Sequence, residues 1–522
     1  IKIKPKMKFI KYVLLAFIVL IIFFTVLVNY NLRDRHPDFN IDISLKNNGQ
    51  VSTISVGFAK MPITPDVTDT WNDLNGNAKY EPDKGDFYND INGNNRFDPI
   101  WIGGFHNSRP AQGVHDDLWA RVMVLDDGKT QLAIVSIDAV GFIYDDAVDI
   151  RKEVKKNIGC DYTIISSTHV HQAPDLIGIW GPSYFKSGVN KQYMQYVKKQ
   201  TISAISTAVK NIVPAKLKIA QDLKGAIPFV VDSRDPQELD PGIRIIQALD
   251  INTEETLGSL VSWSNHPETL WSKNLLISSD FPHYFRSSIE NGVFNEDTTL
   301  AEGIGGISVF INGAVGGLMT TNPSHPIPDP FNSTLHEGAT FKKTQAQGQQ
   351  LGLLALRALR SKDAKEISKS KISLRAKTIT IPLDNTNFLL GFILGVIDHG
   401  TIGWFNVKTE IASIEVGPIS IITIPGEIYP EIVNGGVVSP IGQDYNIDPI
   451  EIPPLRSMMK GEYKFVFGLA NDEIGYIIPK SEWDEVPPYL YNHHKSPYGE
   501  INSLGPEAGP IIHSSIREIL EY

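Results

Sequence analysis

Cysteine is almost absent from this chain of 522 residues, since Cys160 is the only one, and this excludes an intrachain disulfide. Basic residues are also in the minority, 48 against 59 acidic ones, and five of the lysines precede residue 12. The excess of acid in the rest of the chain argues against nucleic acid as a partner and against tight electrostatic docking on anionic lipid. The core must therefore hold together without covalent links, unless bound metal ions contribute.

Charge is missing altogether from residues 12–28, an apolar run of about 25 Å as a helix, which can span a membrane together with its flanks. Lys2, Lys4, Lys6, Lys8 and Lys11 precede it without any acidic residue, so we expect a cytoplasmic N-terminus. No small-x-small cleavage site follows, which favours an uncleaved signal anchor over a removed signal peptide. The expected organisation is a basic tail and transmembrane anchor at 1–32, a linker at 33–52, and an extracytoplasmic domain at 53–522.

A second apolar run, residues 387–397, is too short to span a membrane. Its simplest interpretation is a buried helix. The alternative is an apolar lip that holds lipid at the mouth of a pocket.

Four short apolar runs rich in β-branched residues each lead to a side chain that can bind a metal. They are predicted to be buried strands, and they precede the following side chains: His169 and His171 after 162–165, His266 after 260–264, Glu427 after 419–424, and Asp138 after 133–137. Sites in such sheets form where the carboxyl ends of strands meet. Since strand residues alternate faces, His169 and His171 should point to the same side.

Two histidines from separate strands and a carboxylate would match the ligands of hydrolytic zinc enzymes, which leave one position open for water. The alternative is that His169 and His171 are ordinary hydrogen-bonded histidines, that His266 caps a loop and that Glu427 is a solvated turn residue.

A repeated pattern of Asp, Asn and Gly predicts another cation site. Residues 73–81 and 90–98 share the pattern Asp-x-Asn-Gly-Asn-x-x-x-acid, whose oxygens suit a hard cation such as Ca²⁺. The candidate ligands are Asp73, Asn75, Asn77, Glu81, Asp90, Asn92, Asn94 and Asp98. Neither copy has the glutamate at position 12 of a complete EF-hand loop, so two plain Asn/Gly turns are the alternative. We expect structural calcium in an insertion at 69–100.

Several motifs occur in a fixed order over most of the chain. They are residues 56–65, 104–105, 113–121, 168–174, His266-Pro267 with Ser279-Asp280, 425–427 and 470–476. Together they resemble the motifs of the neutral/alkaline, non-lysosomal ceramidase family. The resemblance implies an α/β fold with two stacked mixed β-sheets flanked by helices, here preceded by one transmembrane helix.

The resemblance also implies roles for single residues. It assigns one zinc ion to His169, His266, Glu427 and Tyr476. It gives His171 a role in proton transfer or ligand support, and it makes Arg234 and Tyr498 substrate contacts. His115 and Asp138 are further pocket candidates.

Two departures from the family pattern bear on the activity. Gly316 stands at the position of the family's active-site serine and Ala314 at that of an acidic residue, and we expect no C-terminal immunoglobulin-like domain. The sequence thus predicts a membrane-anchored, outward-facing zinc amidohydrolase that uses metal-activated water on a small amphipathic or lipid amide, ceramide-like or other. A non-catalytic, zinc-containing ligand-binding relative and a zinc ester or lactone hydrolase remain as alternatives.

Overall fold

The computed structural model describes residues 5–46, 49 and 51–521, without the side chains of residues 5–8. Lys2 and Lys4 of the basic tail lie outside the described residues, as do the side chains of Lys6 and Lys8. The helices are α1 (Pro5–Asn31), α2 (Tyr144–Asn157), α3 (Lys191–Lys210), α4 (Phe281–Asn291), α5 (Phe341–Leu359), α6 (Thr386–Ile393), α7 (Pro430–Asn434), α8 (Leu455–Met458), α9 (Tyr498–Ile501) and α10 (Ala508–Glu521).

The strands are short except in two central sheets. In chain order they are β1 (Asp42–Leu45), β2 (Ser52–Thr53), β3 (Ser55–Pro62), β4 (Thr70–Asn72), β5 (Phe87–Asn89), β6 (Gly113–Val114), β7 (Trp119–Asp126), β8 (Gln131–Ile137), β9 (Tyr162–Ser167), β10 (Val213–Asp222), β11 (Val231–Asp232), β12 (Ile243–Asp250), β13 (Thr256–Trp263), β14 (Leu276–Ile277), β15 (Gly292–Phe294), β16 (Thr299–Glu302), β17 (Ile307–Asn312), β18 (Met319–Thr320), β19 (Ile327–Pro328), β20 (Leu335–His336), β21 (Lys365–Ile367), β22 (Lys369–Ser370), β23 (Ile372–Pro382), β24 (Thr401–Ile402), β25 (Asn406–Val416), β26 (Ile419–Thr423), β27 (Glu427–Ile428), β28 (Tyr463–Phe467) and β29 (Tyr476–Ile477).

Two mixed sheets form the centre of the molecule. The larger has the order β17-β13-β12-β10-β3-β7-β8-β9, with β21 beside β10, and the smaller has the order β1-β23-β25-β26-β28, with β24 beside β25. Three pairs are parallel, β13 with β17, β8 with β9 and β26 with β28. β1, within the segment expected to be a linker, is an edge strand of the smaller sheet.

The two sheets pack face to face. Phe58, Ile134 and Ile164 of the larger sheet share one buried cluster with Ile414 and Phe465 of the smaller sheet. Helices cover the outer faces: α2 and α3 lie on one half of the larger sheet, α4 and α5 on the other half, and α10 on the smaller sheet. Each fully buried Ile or Phe contributes about 1.5–3 kcal/mol by leaving water. The predicted α/β architecture of two stacked mixed sheets flanked by helices is confirmed.

Side-chain caps fix where two of the helices begin. Asn190 accepts hydrogen bonds from the backbone N–H groups of Gln192 and Tyr193 at the start of α3, at 3.0 and 3.1 Å. Asn385 does the same for Asn387 and Phe388 at the start of α6. Such caps typically contribute about 1 kcal/mol.

The predicted N-terminal apolar helix is present as α1. Its segment Phe9–Asn31 has a mean hydropathy of 2.8 over the most apolar window, and only 6% of that window is buried. By length and composition it can cross a membrane.

Candidate metal centre and cavity

The two sheets bring their strand ends together around a buried cluster of histidines. His169 follows β9 and has a φ of +67°, a left-handed conformation that is rare outside glycine. His266 follows β13, and the two imidazole centroids lie 4.7 Å apart. His171 lies beside them, with its ring 4.8 Å from that of His169. β9 ends at Ser167, so the alternation of side chains along a strand does not apply to His169 and His171. Their rings come together because the chain turns at His169.

Backbone carbonyls orient both strand-end imidazoles. His169 Nδ1 lies 2.6 Å from the carbonyl oxygen of Val140, and His266 Nδ1 lies 2.8 Å from that of Met319. A carbonyl oxygen can only accept, so Nδ1 of each ring donates, and Nε2 is the nitrogen left to face Glu427 or a metal ion. Metal-ligating histidines are held in this way.

The smaller sheet supplies two oxygen groups to the same point. β27 and β29 run parallel with Glu427 opposite Tyr476. Glu427 Oε2 lies 3.0 Å from His266 Nε2 and 3.4 Å from His169 Nε2. Tyr476 Oη lies 3.2 Å from His266 Nε2. All four predicted zinc-site side chains therefore converge.

The carboxylate of Glu427 and the imidazole of His266 shift each other's pKa: burial alone would lower the pKa of His266, but Glu427 raises it to about 9. Burial alone would raise the pKa of Glu427, but His169 and His266 outweigh it and hold that pKa well below its usual range. Burial and the Glu427 carboxylate raise the pKa of Tyr476 well above 10. Two nitrogen lone pairs, one carboxylate and one phenol oxygen make a donor set that fits zinc. The ligand atoms of His169, His171 and His266 also lie within 4.8 Å of one another, so a three-histidine metal site is the other possible set.

His171 faces a carboxylate that the sequence patterns did not reveal. Glu268 Oε2 lies 3.3 Å from His171 Nδ1, and neither ring nitrogen has a hydrogen-bond partner among the described residues. Burial lowers the pKa of His171 to about 4, although Glu268 opposes this shift. The imidazole is therefore neutral at pH 7 and has an unused nitrogen, as a group that accepts a proton requires.

An apolar cavity opens above the cluster. Its wall includes Ile177, Trp180, Phe388 and Phe392, and its floor includes His169, His171, Glu427 and Tyr476. Apolar walls with a few polar groups at one end suit a ligand that has one apolar part and one polar part.

Tyr498 and Arg234 differ in their relation to this cavity. Tyr498 lines it, with its ring 5.9 Å from that of Tyr476, and it also lines a neighbouring cavity. Arg234 lines only the neighbouring one. Its guanidinium is 2.7 Å from Glu431 Oε2, 3.1 Å from the Gly317 carbonyl oxygen, and stacked 4.2 Å above the Tyr429 ring. Any contact that Arg234 makes with a substrate would be made in the second cavity.

Neither of the two further pocket candidates lines the main cavity. Asp138 forms a bidentate ion pair with Arg286, at 2.7 and 2.9 Å. His115 stacks on Phe341 at 3.6 Å between ring centroids. Asp138 thus joins β8 to α4, and His115 joins a loop to α5.

The position of the family's serine is sterically closed. The backbone N–H of Gly316 donates to the carbonyl oxygen of Ile428 at 3.0 Å. A Cβ at this position would lie 2.5 Å from the Glu427 carbonyl oxygen and 2.6 Å from that of Ile428. No side chain fits there unless the strand that carries Glu427 moves.

Asn312, the last residue of β17, ties the two histidine loops together. Its side-chain N–H₂ donates to the carbonyl oxygens of Thr168 and Asn265, at 3.1 and 2.8 Å. These residues directly precede His169 and His266. Sequence patterns could not have found Asn312, because they do not reveal hydrogen bonds between distant segments, whereas Glu268 lies only two residues after His266.

The two Asp/Asn loops fold in the same way. Asp73 accepts the backbone N–H groups of Gly76, Asn77 and Ala78, and Asp90 accepts those of Gly93, Asn94 and Asn95. β4 leads into the first loop and β5 into the second, and the two strands pair with each other. A carboxylate from outside each pattern, Asp86 or Asp69, accepts two more N–H groups in each loop. The sequence duplication is thus also a structural duplication, and calcium binding stays a prediction.

Solved structures with a similar fold include two of ceramidases. The crystal structure of neutral ceramidase from Pseudomonas aeruginosa matches with a TM-score of 0.60 at 14% identity, over 90% of this chain and 74% of that chain. A structure of ceramidase complexed with C2 matches with a TM-score of 0.59 at 14% identity, over the same shares. No protein-family model and no curated sequence matches. The chain therefore has a ceramidase-like fold, as the sequence resemblance implies.

Proposed function

We propose that the chain is a membrane-anchored, outward-facing zinc hydrolase that cleaves the amide bond of an N-acyl amide, ceramide-like or of another lipid. One observation carries the proposal: His169, His266, Glu427 and Tyr476 converge at the floor of an apolar cavity. The likeness to ceramidase structures supports the substrate class. Apolar walls would hold the acyl chain, with the polar amide at the cluster.

Each group at the site would have its own role in amide hydrolysis. Zinc, when bound, polarises a carbonyl oxygen and lowers the pKa of a water ligand to about 7. His171 accepts the proton from the attacking water and returns it to the leaving amine, because its Nε2 is free and it is neutral at pH 7. Glu268 orients the ring of His171. The Tyr498 hydroxyl donates a hydrogen bond to the developing oxyanion.

Gly316 favours a second candidate from a different class. Position 316 carries no serine and has no room for one. If the reaction needs a serine nucleophile at this position, the protein is instead a zinc-containing ligand-binding relative. A zinc ester or lactone hydrolase would use the same groups on another carbonyl.

The test is metal analysis of the full chain with a screen of N-acyl amides, esters and lactones. Hydrolysis of an amide that a chelator abolishes and zinc restores supports the first proposal, and zinc without any turnover supports the second.

Tyr498→Phe should lower kcat by about 10²–10³ while zinc content stays unchanged, because one transition-state donor is lost and no metal ligand is touched. Steady-state kinetics and metal analysis of the purified variant measure both. Tyr491→Phe, in the wall of the second cavity alone, is the matched control and should keep kcat. An unchanged kcat in Tyr498→Phe would remove Tyr498 from the oxyanion site.

Calcium should raise the melting temperature of the protein through the two Asp/Asn loops, because an ion that binds only the folded state stabilises it. We propose that each loop binds one ion through the side chains named above. The Asp73→Ala, Asp90→Ala double variant should lose the rise, whereas Asp83→Ala, which lies between the loops and outside both patterns, should keep it. Thermal unfolding in calcium and in a calcium chelator measures the difference in melting temperature. If calcium does not change the melting temperature of the parent protein, the loops are plain turns.

A further inference from the structure

The last turn of α1 is joined to the wall of the cavity. Asn31 donates from its side chain to the carbonyl oxygen of Ile393, the last residue of α6, at 2.8 Å. The Leu32 carbonyl oxygen accepts from Thr401, at the start of β24. Val28 and Leu32 are buried in the same cluster as Phe392, which lines the cavity. The orientation of α1 therefore fixes the orientation of the cavity wall.

Aromatic residues mark the membrane level on α1. Tyr12 and Tyr30 are both exposed, and 18 residues of helix separate them by about 27 Å, close to the thickness of the hydrocarbon core. Tyrosine prefers the boundary between hydrocarbon and headgroups. Tyr30 directly precedes Asn31, so the end of α6 lies at this boundary.

Exposed apolar side chains lie on the two segments that are joined to the end of α1. We call this set the collar, and it consists of Leu390, Leu394, Ile402, Trp404 and Phe405, all exposed. The expectation of a buried helix in residues 387–397 is not met: α6 ends at Ile393 with Phe392 as its one buried residue, and the buried Val396 and Ile397 follow the helix. α6 instead gives Phe388 and Phe392 to the cavity and Leu390 to the surface. Exposed apolar patches of this kind mark sites of interaction with a protein, a membrane or a ligand.

We infer that the collar inserts into the outer leaflet of the membrane that α1 crosses, so that the cavity takes its acyl substrate directly from that leaflet. The occupant is lipid because the apolar helix α1 is joined to both α6 and the start of β24, the two segments that carry the collar. The contact is apolar, which agrees with the acidic surface of the chain. This inference rests on the proposed membrane anchoring and amide hydrolysis.

The test uses nitroxide labels on the full chain in phosphatidylcholine vesicles. Cys160 is buried, so labels attach selectively to Leu394→Cys and Phe405→Cys. Ile251→Cys is the matched control: it is 38% exposed against 39% for Leu394, but it precedes β13, at the end remote from His266. Labels at 394 and 405 should be accessible to oxygen and protected from a water-soluble nickel chelate, whereas the label at 251 should be open to the chelate. Equal chelate access at all three positions overturns the collar.

A second measurement tests the route of the substrate. Leu394→Glu with Phe405→Glu should slow hydrolysis of a long-chain N-acyl amide embedded in vesicles, but not of a short-chain soluble one. Equal rates with parent on both substrates overturn the route. If the parent cleaves no amide, the proposed function fails, and the label accessibilities still decide whether the collar meets lipid.

Discussion

His266→Ala should reduce bound zinc from about one ion per chain to almost none and abolish hydrolysis. The substitution removes one nitrogen ligand and leaves Glu427 and Tyr476 without their nearest partner. Loss of a residue that only orients a ligand already costs about 10–100-fold in metal affinity, so loss of the ligand itself costs more. Metal analysis of the purified variant and its activity on the parent's substrate measure the two effects.

Two other histidines make this experiment selective. His115→Ala, stacked on Phe341 away from the cluster, should keep full zinc. His171→Ala should also keep zinc but lose most of the activity, because we assign the proton transfer to His171 and not a ligand position. Loss of zinc in His171→Ala would instead establish His169, His171 and His266 as the ligand set. An unchanged zinc content in His266→Ala would show that His266 is not a zinc ligand and that the proposed site is wrong.

Local sequence patterns predict the strands of the site but not their assembly. The runs before His169, His266 and Glu427 are the strands β9, β13 and β26, each buried as expected. Their apolar, β-branched residues carry a signal that extends over four to six positions. Asp138 shows the limit, because β8 is also a strand and yet its end leads to Arg286 and not to the cluster. Which strand ends meet depends on sheet packing between distant segments.

Two features of the site depend on contacts that no single segment encodes. Tyr476 lies beside Glu427 because β27 and β29 pair across 49 residues of sequence, and only the family resemblance indicated it. The histidine loops meet because Asn312 bonds both. The composition of α6 is apolar and would suit a buried helix. Its position at the surface becomes understandable only from the structure, which places the end of α1 beside it.

Gly316→Ser should fail to restore a serine nucleophile and should weaken zinc binding and stability. The added Cβ would lie 2.5 Å from the carbonyl oxygen of Glu427 and 2.6 Å from that of Ile428, both backbone atoms, so β27 must move with its ligand. Overpacking of this kind costs about 1–3 kcal/mol. Gly316→Ala should behave alike, because the clash arises at Cβ, whereas Gly113→Ala, which meets only Leu276 at 3.4 Å, should be neutral.

Thermal unfolding, metal analysis and the mass of the intact protein after a rapid quench with substrate separate the outcomes. We expect a lower melting temperature, less zinc, and no covalent acyl adduct in Gly316→Ser. A variant that keeps zinc and accumulates an acyl adduct on the introduced serine would contradict the steric argument. If this variant hydrolysed ceramide and the parent did not, the natural protein would be a relative that has lost the activity. The absence of such an adduct would support the proposed route, in which water attacks and His171 accepts its proton.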